Sequence, residues 1–295
     1  MDRKKTFVAI TALLLCWVSV SLSTFLHAAE PTRLPFYEAH KGDVRLYILG
    51  TIHVGKAEPL RQEVVQSLSR SSQFIMELSF DDFPKMAPLM FSRMCEDACL
   101  RKQISSDAFK KLETRIPEMK GSMEHIPAWM ISSLLVIADY PKAGFSPDLG
   151  TEIRLMKVWG NRPTRGLETP EEQMDTLASF SESAQRESLE SYLTLTEERR
   201  LLLFRELYQT WTGGDAEALY VWYQKMNKEQ KLSPSTAKEF DEKMIFSRNK
   251  RFVERLRPFL APGKPVFVAV GALHLGGDQG VLALLRAQGF SITAR

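Results

Sequence analysis

The chain has 295 residues, with 39 Lys and Arg against 36 Asp and Glu, a formal charge of +3. Setting aside residues 1–29 removes Asp2, Arg3, Lys4 and Lys5 and leaves 36 cations against 35 anions over 266 residues. So balanced a charge gives no reason to expect a nucleic-acid partner, and a chain of this size buries enough for one large domain or a domain with a lobe.

Residues 1–29 read as a secretory signal. Arg3, Lys4 and Lys5 make a positive start, and residues 8–20 follow as an uncharged apolar run that is short for a bilayer span. Ala28 and Ala29 then precede Glu30 and Pro31, so cleavage after Ala28 or Ala29 and a periplasmic or secreted protein are expected. The alternative is an uncleaved membrane anchor, because apolar residues continue to Phe25 and Leu26. Cys16 follows Leu15, where a lipid-attachment site needs a small residue.

Residues 45–49 (Arg-Leu-Tyr-Ile-Leu) form a strand ending at Gly50. A helix opens near Pro59 with Leu60, Val64, Val65 and Leu68 on one face, and residues 73–78 form the next buried strand. Strand, helix, strand is a parallel βαβ unit. Residues 81–146 are mostly helical and punctuated by prolines. They include Cys95 and Cys99, which form either a local disulfide or two half-buried thiols on one helix face. A helix over 148–158 closes at Gly160 and Asn161, and a short strand over 164–167 follows. Thr169 caps the next helix, with Pro170 at its first position and Glu172 completing a capping box.

Residues 182–210, 215–230 and 236–257 are amphipathic helices, read together as an inserted helical lobe over about 182–257. Trp211, Trp222 and Met226 within them are assigned to core packing. Residues 265–270 (Pro-Val-Phe-Val-Ala-Val) are the strongest strand signal. Asp278 then caps a helix over 279–288, and residues 290–293 are a last strand. The expected fold is α/β: a central, mostly parallel sheet flanked by helices, with residues 30–295 as a single domain.

One local pattern occurs twice. Residues 47–49 run into Gly50-Thr51-Ile52-His53, and residues 268–270 run into Gly271-Ala272-Leu273-His274, each followed by further glycine. Both histidines thus lie just past the end of a strand expected to be parallel, where ligand sites of open α/β sheets gather. Paired there, two imidazoles can ligate a metal or act as base and electrophile; taken singly, each caps its strand. Glu77 interrupts an apolar strand, and Glu168 ends another. A charge in such a place needs a partner or a function. Two His with one or two carboxylates suit Zn²⁺, Mn²⁺ or Co²⁺, which can activate water. Equally, Glu77 can pair with Arg248 or Arg165, and Glu168 can serve a helix dipole. Arg248 and Asn249 are placed to face the cleft, whereas His40 and His125 have no matched context and read as surface or cap residues. No His-Glu-x-x-His, Gly-x-Ser-x-Gly, Walker or dinucleotide glycine motif is present.

These stretches resemble the TraB/PrgY/GumN family, particularly its bacterial GumN-like branch. The resemblance is carried in order by residues 46–55, 74–78, 165–173, 247–249 and 268–276. It implies a fold related to the erythromycin esterase and ChaN-like group, and kinship with Tiki proteins, described as divalent-metal-dependent proteases using two Gly-x-x-His motifs and a glutamate. On that pattern His53, His274 and Glu77 hold the metal, with Glu168 the second choice of glutamate. Arg248, read from its own place facing the cleft, is expected to steady an oxyanion or a substrate carboxylate. The family's plasmid-encoded members are linked to blocking peptide pheromones, which suggests peptide substrates. The leading expectation is therefore an exported metal-dependent hydrolase, foremost a peptidase, with a peptide or small-molecule substrate. Two others stay open: a metal-independent, histidine-based esterase-like hydrolase, and a non-catalytic peptide- or haem-binding protein.

Overall fold

The computed structural model describes residues 33–295; the expected signal and Cys16 lie outside the described residues. Six strands form one sheet: β1 (Phe36–Lys41), β2 (Val44–Thr51), β3 (Gln73–Leu78), β4 (Arg165–Glu168), β5 (Val266–Gly271) and β6 (Ser291–Ala294). Their spatial order is β4-β3-β5-β2-β1-β6. The pairs β2–β5, β3–β5 and β3–β4 are parallel, and only β1 runs against its neighbours. This is the α/β architecture with a mostly parallel sheet.

The central strands are apolar on both faces because helices cover both. On one side Ile48, Ile75, Val268 and Val270 pack with Phe252, Val253 and Leu256 of the helix Ser247–Leu256 and with Leu285 of Val281–Ala287. Their neighbours Leu49, Phe74, Met76 and Phe267 point the other way, as successive strand residues must. There they meet Leu68 of Gln62–Arg70, Leu155 and Trp159 of Thr151–Trp159, and Trp211. Trp211 is core as expected, and its indole N–H donates to the Gly50 carbonyl at 2.8 Å. The helices Glu182–Thr194 and Glu197–Thr212 both pack on Ala128–Ala143, whereas Ser247–Leu256 lies on β4. Among the described residues no helix is long and apolar enough to cross a membrane.

Several local readings needed correction. β1 has no counterpart among the expected strands; it pairs with β2 through a two-residue turn at Gly42-Asp43, a hairpin signal present in the sequence. The helix expected at Pro59 begins at Gln62. Residues 55–60 form an irregular stretch instead, held by a bridge from Gly55 to Ser146 and by the Tyr208 hydroxyl on the Glu58 carboxylate. The run 182–210 is two helices, because Thr196 caps a new one by accepting from the Arg199 N–H. Gly280, not Asp278, precedes the helix Val281–Ala287. The helix expected over 236–257 is Pro234–Phe240 and Ser247–Leu256 joined by a π-helical segment, Asp241–Phe246. The Thr169 capping box forms as expected. Cys95 and Cys99 are joined as a disulfide, with Cys99 opening the helix Cys99–Gln103.

Candidate functional site

Register brings the two glycine-histidine turns together. Thr51, the last residue of β2, pairs with Gly271, the last of β5, so both strands end at one level. β3 lies on the other side of β5 and carries Glu77 to the same edge, and β4 carries Glu168 beside Leu78. The helix Ser247–Leu256 crosses this edge with Arg248 and Asn249 turned inward, both buried. The π-helical segment ahead of it directs Met244 and Ile245 into the cleft; such segments recur at functional sites.

Arg248 is the hub. Its Nη2 donates to Glu77 Oε2 at 2.6 Å and to Glu168 Oε2 at 2.8 Å, and its Nε donates to Glu168 Oε1 at 3.0 Å. Arg251 Nη2 adds a bond to Glu168 Oε1 at 3.0 Å. The Glu168 side chain has 0 % exposure and stands behind Arg248, away from the cleft. Glu77 pairs with Arg248, one of the two partners anticipated for it; Arg165 is exposed. The Gly271 N–H also donates to Glu77 Oε1 at 2.5 Å. Burial opposes ionisation of Glu77, but its neighbours, including the Arg248 guanidinium and this N–H, outweigh it and hold the carboxyl well below the usual range.

The state of His274 follows from its partners. The Asn249 amide N–H₂ donates to the Gln279 carbonyl at 2.8 Å, which turns Asn249 Oδ1 toward His274 Nδ1 at 2.7 Å. Nδ1 therefore carries the proton, and Nε2 accepts from Arg248 Nη1 at 3.1 Å. Burial, with the adjacent guanidinium, pushes the imidazole down to about 4 against the pull of Glu77, so it is neutral at pH 7.

His53 is held differently. Its ring is 77 % exposed at the cleft mouth, and Nδ1 lies 3.1 Å from Glu152 Oε1. The same oxygen accepts from the Thr51 hydroxyl at 2.7 Å. The Glu152 carboxylate raises the imidazole to about 9, an attraction that water screens at so exposed a ring. Glu152 is the residue of the candidate site that sequence reasoning missed. An acid in the first turn of the helix Thr151–Trp159 looks like ordinary dipole stabilisation, and only the return of that helix to the end of β2 gives it a partner.

Two lobes of about 240 and 250 Å³ share Thr51, His53, Glu77, Met244 and Arg248, and His274 lines the second. Glu168 lines neither, and His40 and His125 are exposed elsewhere. The structure thus joins Glu77, Glu168, Arg248, Asn249 and His274 in one hydrogen-bonded cluster and sets His53 across the same cleft with Glu152.

This arrangement does not fit the metal-ligand set expected for Zn²⁺, Mn²⁺ or Co²⁺. Among the described residues no group of three or more His, Cys, Asp or Glu side chains is placed to share an ion. The physical reason is Arg248, whose guanidinium occupies the Glu77 and His274 donors, while His53 gives Nδ1 to Glu152.

Close backbone packing fixes the His53 turn. A Cβ on Gly55 would stand 2.2 Å from the Leu149 carbonyl oxygen. Gly55→Ala is therefore expected to push the turn off residues 146–150 and to cost about 1–3 kcal/mol. Urea unfolding measures this, and an unchanged midpoint would mean that the turn adapts freely.

A mostly parallel α/β sheet whose carboxyl edge gathers two glycine-histidine turns, a buried arginine and carboxylates defines a class of cleft protein. Residues 35–294 match the TraB/PrgY/gumN family, and the chain belongs to it. No curated protein and no solved structure matches the chain.

Proposed function

We propose that this protein is a hydrolase that directs water at an amide or ester carbonyl held in the cleft. The observation that carries this reading is the Thr51–Glu152–His53 chain at the mouth, opposite a buried arginine. In its neutral form His53 donates Nδ1–H to Glu152 and presents Nε2 to the cleft as a base. The imidazolium formed on taking a proton from water is stabilised by Glu152, and it can return that proton to the leaving atom. Arg248, fixed by Glu77 and Glu168, supplies a pre-oriented positive charge for the oxyanion. Glu168 and Asn249 act as positioning residues for Arg248 and His274.

The test is hydrolysis of ester and internally quenched peptide substrates by the purified chain, with and without chelator. Turnover that persists in chelator supports the reading. Turnover lost on chelation and restored by Mn²⁺, Co²⁺ or Zn²⁺ would replace it with the metal-dependent peptidase. That second reading is favoured by one observation: His274 is neutral, with its unprotonated Nε2 3.6 Å from Glu77 Oε1. It requires Arg248 to leave both donors. No turnover, with a Soret band on adding haem or tight peptide binding, would point to a sequestering protein.

The pH profile gives a sharper check. Glu152 raises His53, which lowers the share of the base form at neutral pH, so kcat/KM should climb with pH. Screening places the inflection between the ordinary 6.5 and about 9. Glu152→Gln removes the charge while keeping an acceptor for Nδ1–H, and should move the inflection down toward 6.5. A profile that falls over this window would make His53 an acid rather than a base.

Export to the periplasm or beyond belongs to the same proposal and is supported by the charged-then-apolar N-terminus. The mass of the chain recovered from secreting cells tests it: loss of residues 1–28 or 1–29 is expected, and a full-length chain in the membrane fraction would overturn it.

A further inference from the structure

One lobe of the cleft carries features that the hydrolytic groups do not use. Beyond His53, Glu77, Arg248 and His274 it is walled by Tyr140, Phe145, Phe204, Leu207 and Tyr208. Phe204, Leu207 and Tyr208 are three and four apart on the helix Glu197–Thr212 and so share one face. Tyr140 lies in the last turn of the helix Ala128–Ala143 opposite them, and Phe145 follows just after that helix.

This wall is set before any ligand arrives. Tyr140 and Phe204 meet edge to face at 5.1 Å, and Phe145 and Tyr208 lie 5.0 Å apart. The Lys56 ammonium lies 5.2 and 5.1 Å from the Phe145 and Tyr208 rings, and the Tyr208 hydroxyl is tied to Glu58. A space of about 250 Å³ falls below the usual range for whole small molecules and suits one bulky side chain. On the far side of His53 and Arg248 the cleft continues into the other lobe, past Gln173 and Thr176. A bound chain can therefore extend in both directions from the reactive groups.

We infer that the ligand of this cleft is an extended peptide that lays one large apolar side chain, of the phenylalanine or leucine class, against the Tyr140–Phe204–Leu207 wall. The adjoining peptide carbonyl is then presented to His53 and Arg248. This rests on the hydrolase reading for its chemistry but not for its binding preference.

The experiment compares binding of acetyl-Ala-Phe-Ala-amide and acetyl-Ala-Ala-Ala-amide to the full chain by ligand-observed NMR or calorimetry. The phenylalanine peptide should bind at least about tenfold more tightly, the scale set by apolar pockets. Leu207→Trp, which fills the pocket, should bring that ratio close to one. Phe204→Ala, which removes part of the wall, should lower it severalfold. Equal affinity for the two peptides in wild type, or a ratio unchanged in both variants, would overturn the inference. Turnover enters neither readout, so an inactive protein that prefers phenylalanine keeps the pocket and loses only the hydrolase reading.

Discussion

Arg248→Ala should destabilise the fold by about 3 kcal/mol, the lower end of what breaking a buried ion pair costs. The guanidinium joins Glu77, Glu168 and His274 in one cluster, and the Arg248 and Glu168 side chains are 5 % and 0 % exposed. Its removal leaves the fully buried Glu168 and the 14 % exposed Glu77 without their shared cation. The effect stays at the lower end because Glu168 keeps Arg251 at 3.0 Å and Glu77 keeps the Gly271 N–H at 2.5 Å. Arg248→Lys should fall in between, since an ammonium preserves the charge but cannot reach three partners with a planar fork. Replacing Glu77, Glu168 and Arg248 together by Leu, Leu and Met should recover much of the loss, because the one cation that then loses its partner, Arg251, is 36 % exposed and reaches water. Urea unfolding of the four proteins decides. A single Arg248→Ala variant as stable as wild type would show that water already reaches the cluster.

His53→Ala should lower kcat/KM by about 10²–10⁴ while leaving the melting temperature close to that of wild type. The ring is 77 % exposed and its one partner among the described residues is Glu152, so little of the fold depends on it. His274→Ala separates the two histidines. That ring is 5 % exposed, bonds Asn249 and Arg248, and packs against Phe252 with centroids 5.1 Å apart. Its loss should reduce both activity and stability. Undiminished turnover in His53→Ala would remove this imidazole from the chemistry and return attention to Glu77 and His274.

Much of this site was legible in the sequence because its residues break local rules. Glu77 is a charge inside the apolar run of β3, and its ends at Gln73 and Leu78 were placed correctly by that run. The paired glycine-histidine turns were visible as a repeated context, and Thr169 with Glu172 as a capping box. What escaped depends on tertiary contact. Glu152 becomes a partner of His53 only when its helix returns to β2, and the aromatic wall draws on Tyr140, Phe145 and Phe204, each unremarkable on its own helix or loop. The π-helical segment left no mark in periodicity, since one extra residue per turn is hidden in a short amphipathic stretch. β1 was hidden for another reason: its last two residues, His40 and Lys41, are exposed and polar, so only the Gly42-Asp43 turn announced it.

The position of β5 has a consequence for biosynthesis. It sits between β2 and β3, which therefore have no contact of their own along the ladder. A ribosome must translate residues 266–271 before the middle of the sheet can exist, and pairings this distant in sequence are slow to form. Residues 1–265 of the 295 are thus made before the central strand begins. A chain whose central strand is made this late keeps the strands on either side of it unjoined for most of its synthesis.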